Sequence, residues 1–204
     1  MDMNDFNARA AEWDTPQRVK KAQRVAAAIE GAVTLDPSMD VMEYGCGTGL
    51  VGLQLLAKIG TATFIDTSEG MLEVLSSKLA QQQLPNAQVC NVDLSADTSF
   101  SGAYDLIFSS MTLHHIPDYA AILARFSGLL KPGGKLAIVD LVSEDGSFHG
   151  AGFEGHNGFD LAQLAQAFGA AGLAVTHSDV FMEMKRENGR RYPLFLIVGA
   201  KAGV

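Results

Sequence analysis

The sequence predicts an α/β fold: a doubly wound, mostly parallel sheet with helices on both faces. Three observations carry that expectation. Short apolar segments alternate with segments of helical period from Val41 to Val142. A glycine-rich turn, VMEYGCGTGLVGL, joins the first of these strands to the helix after it, and an Asn-Gly turn joins two long strands near the end. Parallel strands need crossover helices between them, so regular alternation argues for a sheet covered on both faces. The hairpin then adds an antiparallel pair at its edge.

The elements follow in order. Thr15-Pro16 opens a helix, since threonine caps and proline suits the first helical position, and Val19, Ala22, Ala26 and Ile29 recur at helical spacing up to Gly31. After Asp36-Pro37, Val41 to Tyr44 reads as a strand, Leu50 to Lys58 as a helix, and Ala62 to Ile65 as a second strand ending in Asp66. Ser68 caps the next helix, which carries Met71, Leu72, Leu75 and Leu79 and stops by Pro85. Ala87 to Val92 and Tyr104 to Ser109 are strands three and four, and Asp118 begins a helix closed by Lys131-Pro132-Gly133-Gly134. Lys135 to Val142 is strand five. Asp160 with Gln163 forms a capping box for a helix bearing Leu161, Leu164 and Phe168, ended by Gly169 or Gly172. Ala174 to Met184 and Tyr192 to Ala200 complete the hairpin around Glu187-Asn188-Gly189-Arg190, while Ser143 to Gly158 is an irregular, glycine-rich stretch.

Composition narrows the function. With 204 residues, 48% of them hydrophobic, the chain suits one well-buried domain. A net charge of -8, from 23 acidic and 15 basic residues, lacks the footprint of phosphate-backbone binding, so no nucleic acid partner is expected. The amino terminus, MDMNDFNARAAEWD, has no basic region followed by an apolar run, so neither export nor a membrane span is expected and the default location is cytoplasmic. Cys46 and Cys90 are too few for a disulfide framework and read as reduced fillers of small sites.

The glycine turn reads in two registers. Gly47, Gly49 and Gly52 spell G-x-G-x-x-G, the dinucleotide fingerprint, whereas Glu43, Gly45, Gly47 and Gly49 spell E-x-G-x-G-x-G. Asp66, 17 residues after Gly49, can accept from ribose hydroxyls in either case. Glu43 discriminates, because a carboxylate at the strand end repels a pyrophosphate and tolerates the sulfonium and amino group of S-adenosylmethionine (SAM).

VMEYGCGTG, FIDTSEGML, CNVDL, YDLIFSSMTLHHIPD and LLKPGGKLAIVD, taken in that order, resemble the motifs of the class I SAM-dependent methyltransferases, in their small-molecule branch. The resemblance implies a seven-stranded sheet of order 3-2-1-4-5-7-6 with the last strand antiparallel. It also implies a helical lid over residues 1–36 on a SAM-binding domain at residues 37–204. By the same resemblance Glu43, Gly45, Cys46, Gly47 and Gly49 surround the amino acid part of SAM, or of its product S-adenosylhomocysteine (SAH). Asp66 and Thr67 meet the ribose, Met71 lies against adenine, Asp93 with the N–H of Leu94 meets the adenine amino group, and Ser110 with Met111 offers backbone groups.

Methyl transfer from a sulfonium is an in-line displacement that requires alignment, and a base only when the acceptor arrives protonated. His114 and His115, after strand four, and His156 are the candidates for that base. Phe148, Phe153 and Trp13 are candidates for an apolar acceptor wall. His149, Glu154 and His156 have no recognised ligand spacing, so no metal site is expected. No Asn-Pro-Pro-aromatic run follows strand four and no Pro-Cys pair occurs, which leaves small-molecule acceptors favoured. Two other readings remain: a nicotinamide-dependent oxidoreductase, and a SAM-binding protein without turnover.

Overall fold

The computed structural model describes residues 3–203, and its seven strands form one sheet. They are β1 (Asp40–Tyr44), β2 (Thr61–Asp66), β3 (Ala87–Asn91), β4 (Tyr104–Ser110), β5 (Leu130–Leu141), β6 (Leu173–Lys185) and β7 (Arg191–Lys201). The order is β3-β2-β1-β4-β5-β7-β6, as the resemblance implies. The pairs among β1 to β5 are parallel, and β7 runs antiparallel to both β5 and β6.

Among the described residues six α-helices accompany the sheet: α1 (Met3–Arg9), α2 (Pro16–Ala32), α3 (Gly52–Leu55), α4 (Glu69–Gln82), α5 (Tyr119–Leu129) and α6 (Leu161–Ala170). Alternate residues of a strand point to opposite faces, so each central strand feeds two cores. Val41, Phe64, Phe108 and Val198 pack with Val25 and Ile29 of α2, Leu55 of α3 and Leu75 of α4. Met42, Ile65, Ile107 and Ile138 pack on the other face with Phe126 of α5 and Phe168 of α6. Burial on both sides explains why these strands read as apolar runs rather than alternating ones.

Caps set the helix starts. The side chains of Thr15, Ser68, Asp118 and Asp160 accept from the N–H groups of Arg18, Met71, Ala121 and Gln163. This satisfies donors that have no partner within the helix.

Two boundaries differ from the sequence reading. The helix expected over residues 50–58 is only the short α3 followed by a 3-10 turn, Leu56–Lys58. Glycine at position 52 disfavours helix, and its N–H is taken by the Glu43 side chain. Strand β5 begins at Leu130, because Leu130 pairs with Tyr104 across a register shift that absorbs Lys131 to Gly134. Among the described residues, no helix is long and apolar enough to cross a membrane.

Candidate active site

The carboxyl ends of β1, β2, β3 and β4 open into one cleft of about 660 Å³. That size and position suit a small organic ligand at the switch point of an open α/β sheet. The glycine turn forms its floor. Gly45, Gly47 and Gly49 all hold positive φ angles, 68°, 54° and 76°, a region where a Cβ is strained. The N–H groups of Gly45 and Cys46 donate to the Ile65 carbonyl at 2.8 and 3.0 Å, which fixes the turn against β2.

Two carboxylates flank this floor. Asp66 accepts from Gly47 N–H at 2.7 Å through Oδ2 and from Ser68 N–H at 2.9 Å through Oδ1. Burial nonetheless raises its pKa above the ordinary carboxylate value, the backbone N–H groups around it offsetting only part of the desolvation. Glu43 is 4% exposed and accepts from Gly52 N–H at 3.0 Å. Its pKa is pushed well up, chiefly by burial. A Cβ on residue 52 would strike both this carboxylate and the Phe64 ring, so the third glycine of the dinucleotide register serves the approach of Glu43.

The cleft brings together most of the residues singled out from sequence. Glu43, Gly45, Cys46, Gly47, Asp66, Thr67, Met71, Asp93 and Ser110 line it, with His115. Gly49 and Leu94 stand outside the lining. Gly49 backs onto Leu75, and Leu94 is buried in the core on the α5 side. Asp93 accepts from Ser95 N–H at 2.9 Å and is exposed at the mouth.

The histidines separate. His115 faces the cleft, and burial together with the neighbouring His114 and His149 rings lowers its pKa to about 3. His114 is 1% exposed and sits behind the cleft wall, its Nδ1 2.6 Å from Oδ1 of the fully buried Asp140. His156 also stands outside the lining. Its Nε2 lies 3.0 and 3.1 Å from the carbonyls of Ile116 and Pro117, so it must donate there, and its own N–H donates to the His114 carbonyl at 2.8 Å. That arrangement clamps the loop of residues 143–158 to the segment after β4. Of the three aromatic candidates only Trp13 lines the cleft. Phe148 is buried, and Phe153 stacks on His149.

The sequence reading expected a lid in the amino-terminal segment but, apart from Trp13, named none of the residues it brings to the cleft. Phe6, Arg18, Lys21, Ala22 and Val25 all line the cleft, and positions 18, 21, 22 and 25 lie on one face of α2. That i, i+3, i+4, i+7 spacing was the available signal. Burial, reinforced by Arg18, lowers the Lys21 pKa to about 8, which leaves it mostly cationic at neutral pH. Asn7 Oδ1 accepts from Ser68 Oγ and Gly70 N–H, and Asp14 accepts from Thr48 Oγ1 and pairs with Lys78. These contacts fasten the segment to both the glycine turn and α4. Met111 holds a φ of 57°, a strained value for a residue with a side chain, at the point where β4 enters the cleft.

Comparison with known proteins agrees with this architecture. A family model described as a methyltransferase domain matches residues 41–134. An uncharacterized methyltransferase of Schizosaccharomyces pombe is 30% identical over 152 residues, covering 67% of this chain and 54% of that protein. The trans-aconitate 2-methyltransferase of Deinococcus radiodurans is 33% identical over 123 residues, covering 59% and 45%. The chain thus spans about half the length of the curated relatives it matches. Among solved structures, a SAM-dependent methyltransferase from Aquifex aeolicus superposes with a TM-score of 0.70 at 18% identity, over 95% of this chain and 97% of that one. The cyclase SpnF superposes with a TM-score of 0.73 at 15% identity, over 89% and 81%, so likeness at this level speaks for the fold alone. Sheet order, glycine turn and matched domain together show a methyltransferase domain at residues 41–134, carried on the fold of the class I SAM-dependent methyltransferases.

Proposed function

We propose that this protein transfers the methyl group of SAM to a small acceptor that carries a negative charge. The observation that carries the reading is the presence of both acidic and basic side chains in the lining of one cleft. Its lining includes the glycine turn, Asp66 and Asp93, groups suited to the hydroxyls and amines of SAM, together with Arg18 and Lys21 of α2. Residues 1–36 act as the lid that brings those two cations over the acceptor. Trans-aconitate, the acceptor named for the Deinococcus relative, is an acid of this general kind.

In this reading Asp66 holds the ribose, and Met71 packs on the adenine next to Asp93. Ser110 and the strained Met111 direct backbone groups toward the methionine part. The reaction asks the protein to align acceptor, methyl carbon and sulfur and to exclude water. With its pKa near 3, His115 is uncharged at neutral pH and holds a proton weakly, so it serves better as a neutral wall than as a strong base. His114 and His156 act through position, one behind the wall and one clamping the loop.

A ligand of the native state alone raises the melting temperature, so SAH should stabilise the protein while NADH and NADPH should not. Stabilisation by a nicotinamide cofactor without any by SAH would overturn the proposal.

A further inference from the structure

Three histidines from two separate loops converge beside the cleft. His114 and His115 follow β4, and His149 comes from the loop after β5. One ring nitrogen from each lies within 4.8 Å of the others. The ring centroids are 4.2 Å apart for His114 and His115, 5.0 Å for His114 and His149, and 5.4 Å for His115 and His149. We propose that His114, His115 and His149 bind one divalent transition-metal ion of the zinc class, with Asp140 fixing His114 from behind.

His114 and His149 each have their own reason to be a ligand. A carboxylate only accepts, so the 2.6 Å contact with Asp140 places the proton of His114 on Nδ1 and leaves the Nε2 lone pair free. Asp140 is itself fixed by Leu141 N–H at 2.7 Å and by His114 N–H at 3.2 Å. A buried carboxylate orienting one histidine nitrogen while the other binds metal is the usual support of such sites. The Nε2 of His149 is buried with no hydrogen-bond partner among the described residues. An unpaired buried polar atom costs about 1–3 kcal/mol, a cost that a metal ion would remove. His149 is held face to face with Phe153 at 3.8 Å, a contact that orients the ring and leaves its edge free.

Tetrahedral zinc with bonds of about 2.0–2.1 Å sets its ligand nitrogens about 3.4 Å apart. The cluster, whose nitrogens lie within 4.8 Å of one another, therefore has to contract by up to about 1.4 Å. His149 can supply the movement, because its loop carries Gly146, Gly150 and Gly152 in left-handed conformations. The negative Asp140 offsets part of the metal charge, against the guanidinium of Arg186 over the Phe148 ring. Three protein ligands leave a fourth position open, and His115 lines the cleft, so that position can take an oxygen or sulfur of the acceptor. This last role rests on the methyl-transfer reading; the metal site itself does not.

The test is a titration of Co²⁺ into the chelator-stripped full chain, read by the visible absorption of four-coordinate cobalt. One Co²⁺ per chain, displaced by Zn²⁺, is expected. His149→Ala should weaken the affinity at least 100-fold, and His177→Ala, on β6, should leave it unchanged. The absence of a saturable absorption in the wild type, or its persistence in His149→Ala, would overturn the proposal. SAH binding measured in the same samples reports separately on the cofactor site. Retained SAH binding by His149→Ala shows that the variant is folded, and absent SAH binding by the wild type counts against the methyl-transfer reading alone.

Discussion

Replacing Asp66 with asparagine separates the carboxylate's work on the ligand from its work on the turn. A carboxylate offers about four acceptor positions. Gly47 and Ser68 N–H groups occupy one on each oxygen, at 2.7 and 2.9 Å, which leaves two for a pair of neighbouring ribose hydroxyls. An amide keeps one oxygen and turns its NH₂ group toward one of those two backbone donors. One or two charge-assisted bonds to the ligand are then lost, each contributing about 1.5–3 kcal/mol. The expected loss is about 2–4 kcal/mol, or roughly 30- to 1000-fold in Kd. The empty protein should change much less, because burial already disfavours the ionised Asp66. Isothermal titration with SAH gives the affinity, and urea denaturation gives the stability. An SAH Kd within threefold of wild type, in a variant that unfolds normally, would remove Asp66 from the ribose role.

Two further substitutions address other parts of the cleft. Burial raises the Glu43 pKa, so the folded chain binds that proton more readily than the unfolded one and loses stability as pH rises from the ordinary glutamate value through the raised one. Glu43→Gln, which can still accept from Gly52 N–H, should gain on wild type between pH 5 and pH 8. The gain should be about 1–3 kcal/mol, the scale for an imperfectly compensated buried polar group. Equal urea midpoint shifts at both pH values would contradict that account. Lys21→Met should leave the SAH Kd within twofold and weaken acceptor binding roughly 10- to 100-fold, the range for one charge-assisted bond. A matching loss of SAH affinity would place Lys21 with the cofactor instead.

The sequence and the structure agree most where local chemistry decides. Thr15, Ser68, Asp118 and Asp160 cap helices because a short oxygen-bearing side chain ahead of a helical period has one good place to send its lone pair. The glycine turn and Asp66 were legible for the same reason, since both are fixed by the end of a strand. Gly52 reads in the sequence as the third glycine of the dinucleotide register, whereas Glu43 as the group packed on it follows from the fold. The α2 cations were present as a helix face and went unread, because nothing local says which face overlies a cleft.

The histidine cluster lies further out of reach. His115 and His149 are 34 positions apart and meet only because β4 and β5 are parallel neighbours whose carboxyl ends open on the same side. The sequence reading weighed His149 only with Glu154 and His156 of its own loop and expected no metal site from their spacing; the fold turns His156 toward the Ile116 and Pro117 carbonyls and leaves His149 facing His114. Asp140, which reads as the end of a core strand, acquires its function only when His114 is placed on it.

The most direct test of methyl transfer is to incubate the protein with methyl-labelled SAM and a fractionated small-metabolite extract, then follow the label by mass spectrometry. The account predicts SAH release with the label in a small molecule from the acidic fractions. SAH binding with no label leaving SAM in any fraction would contradict it and leave a SAM-binding protein without turnover.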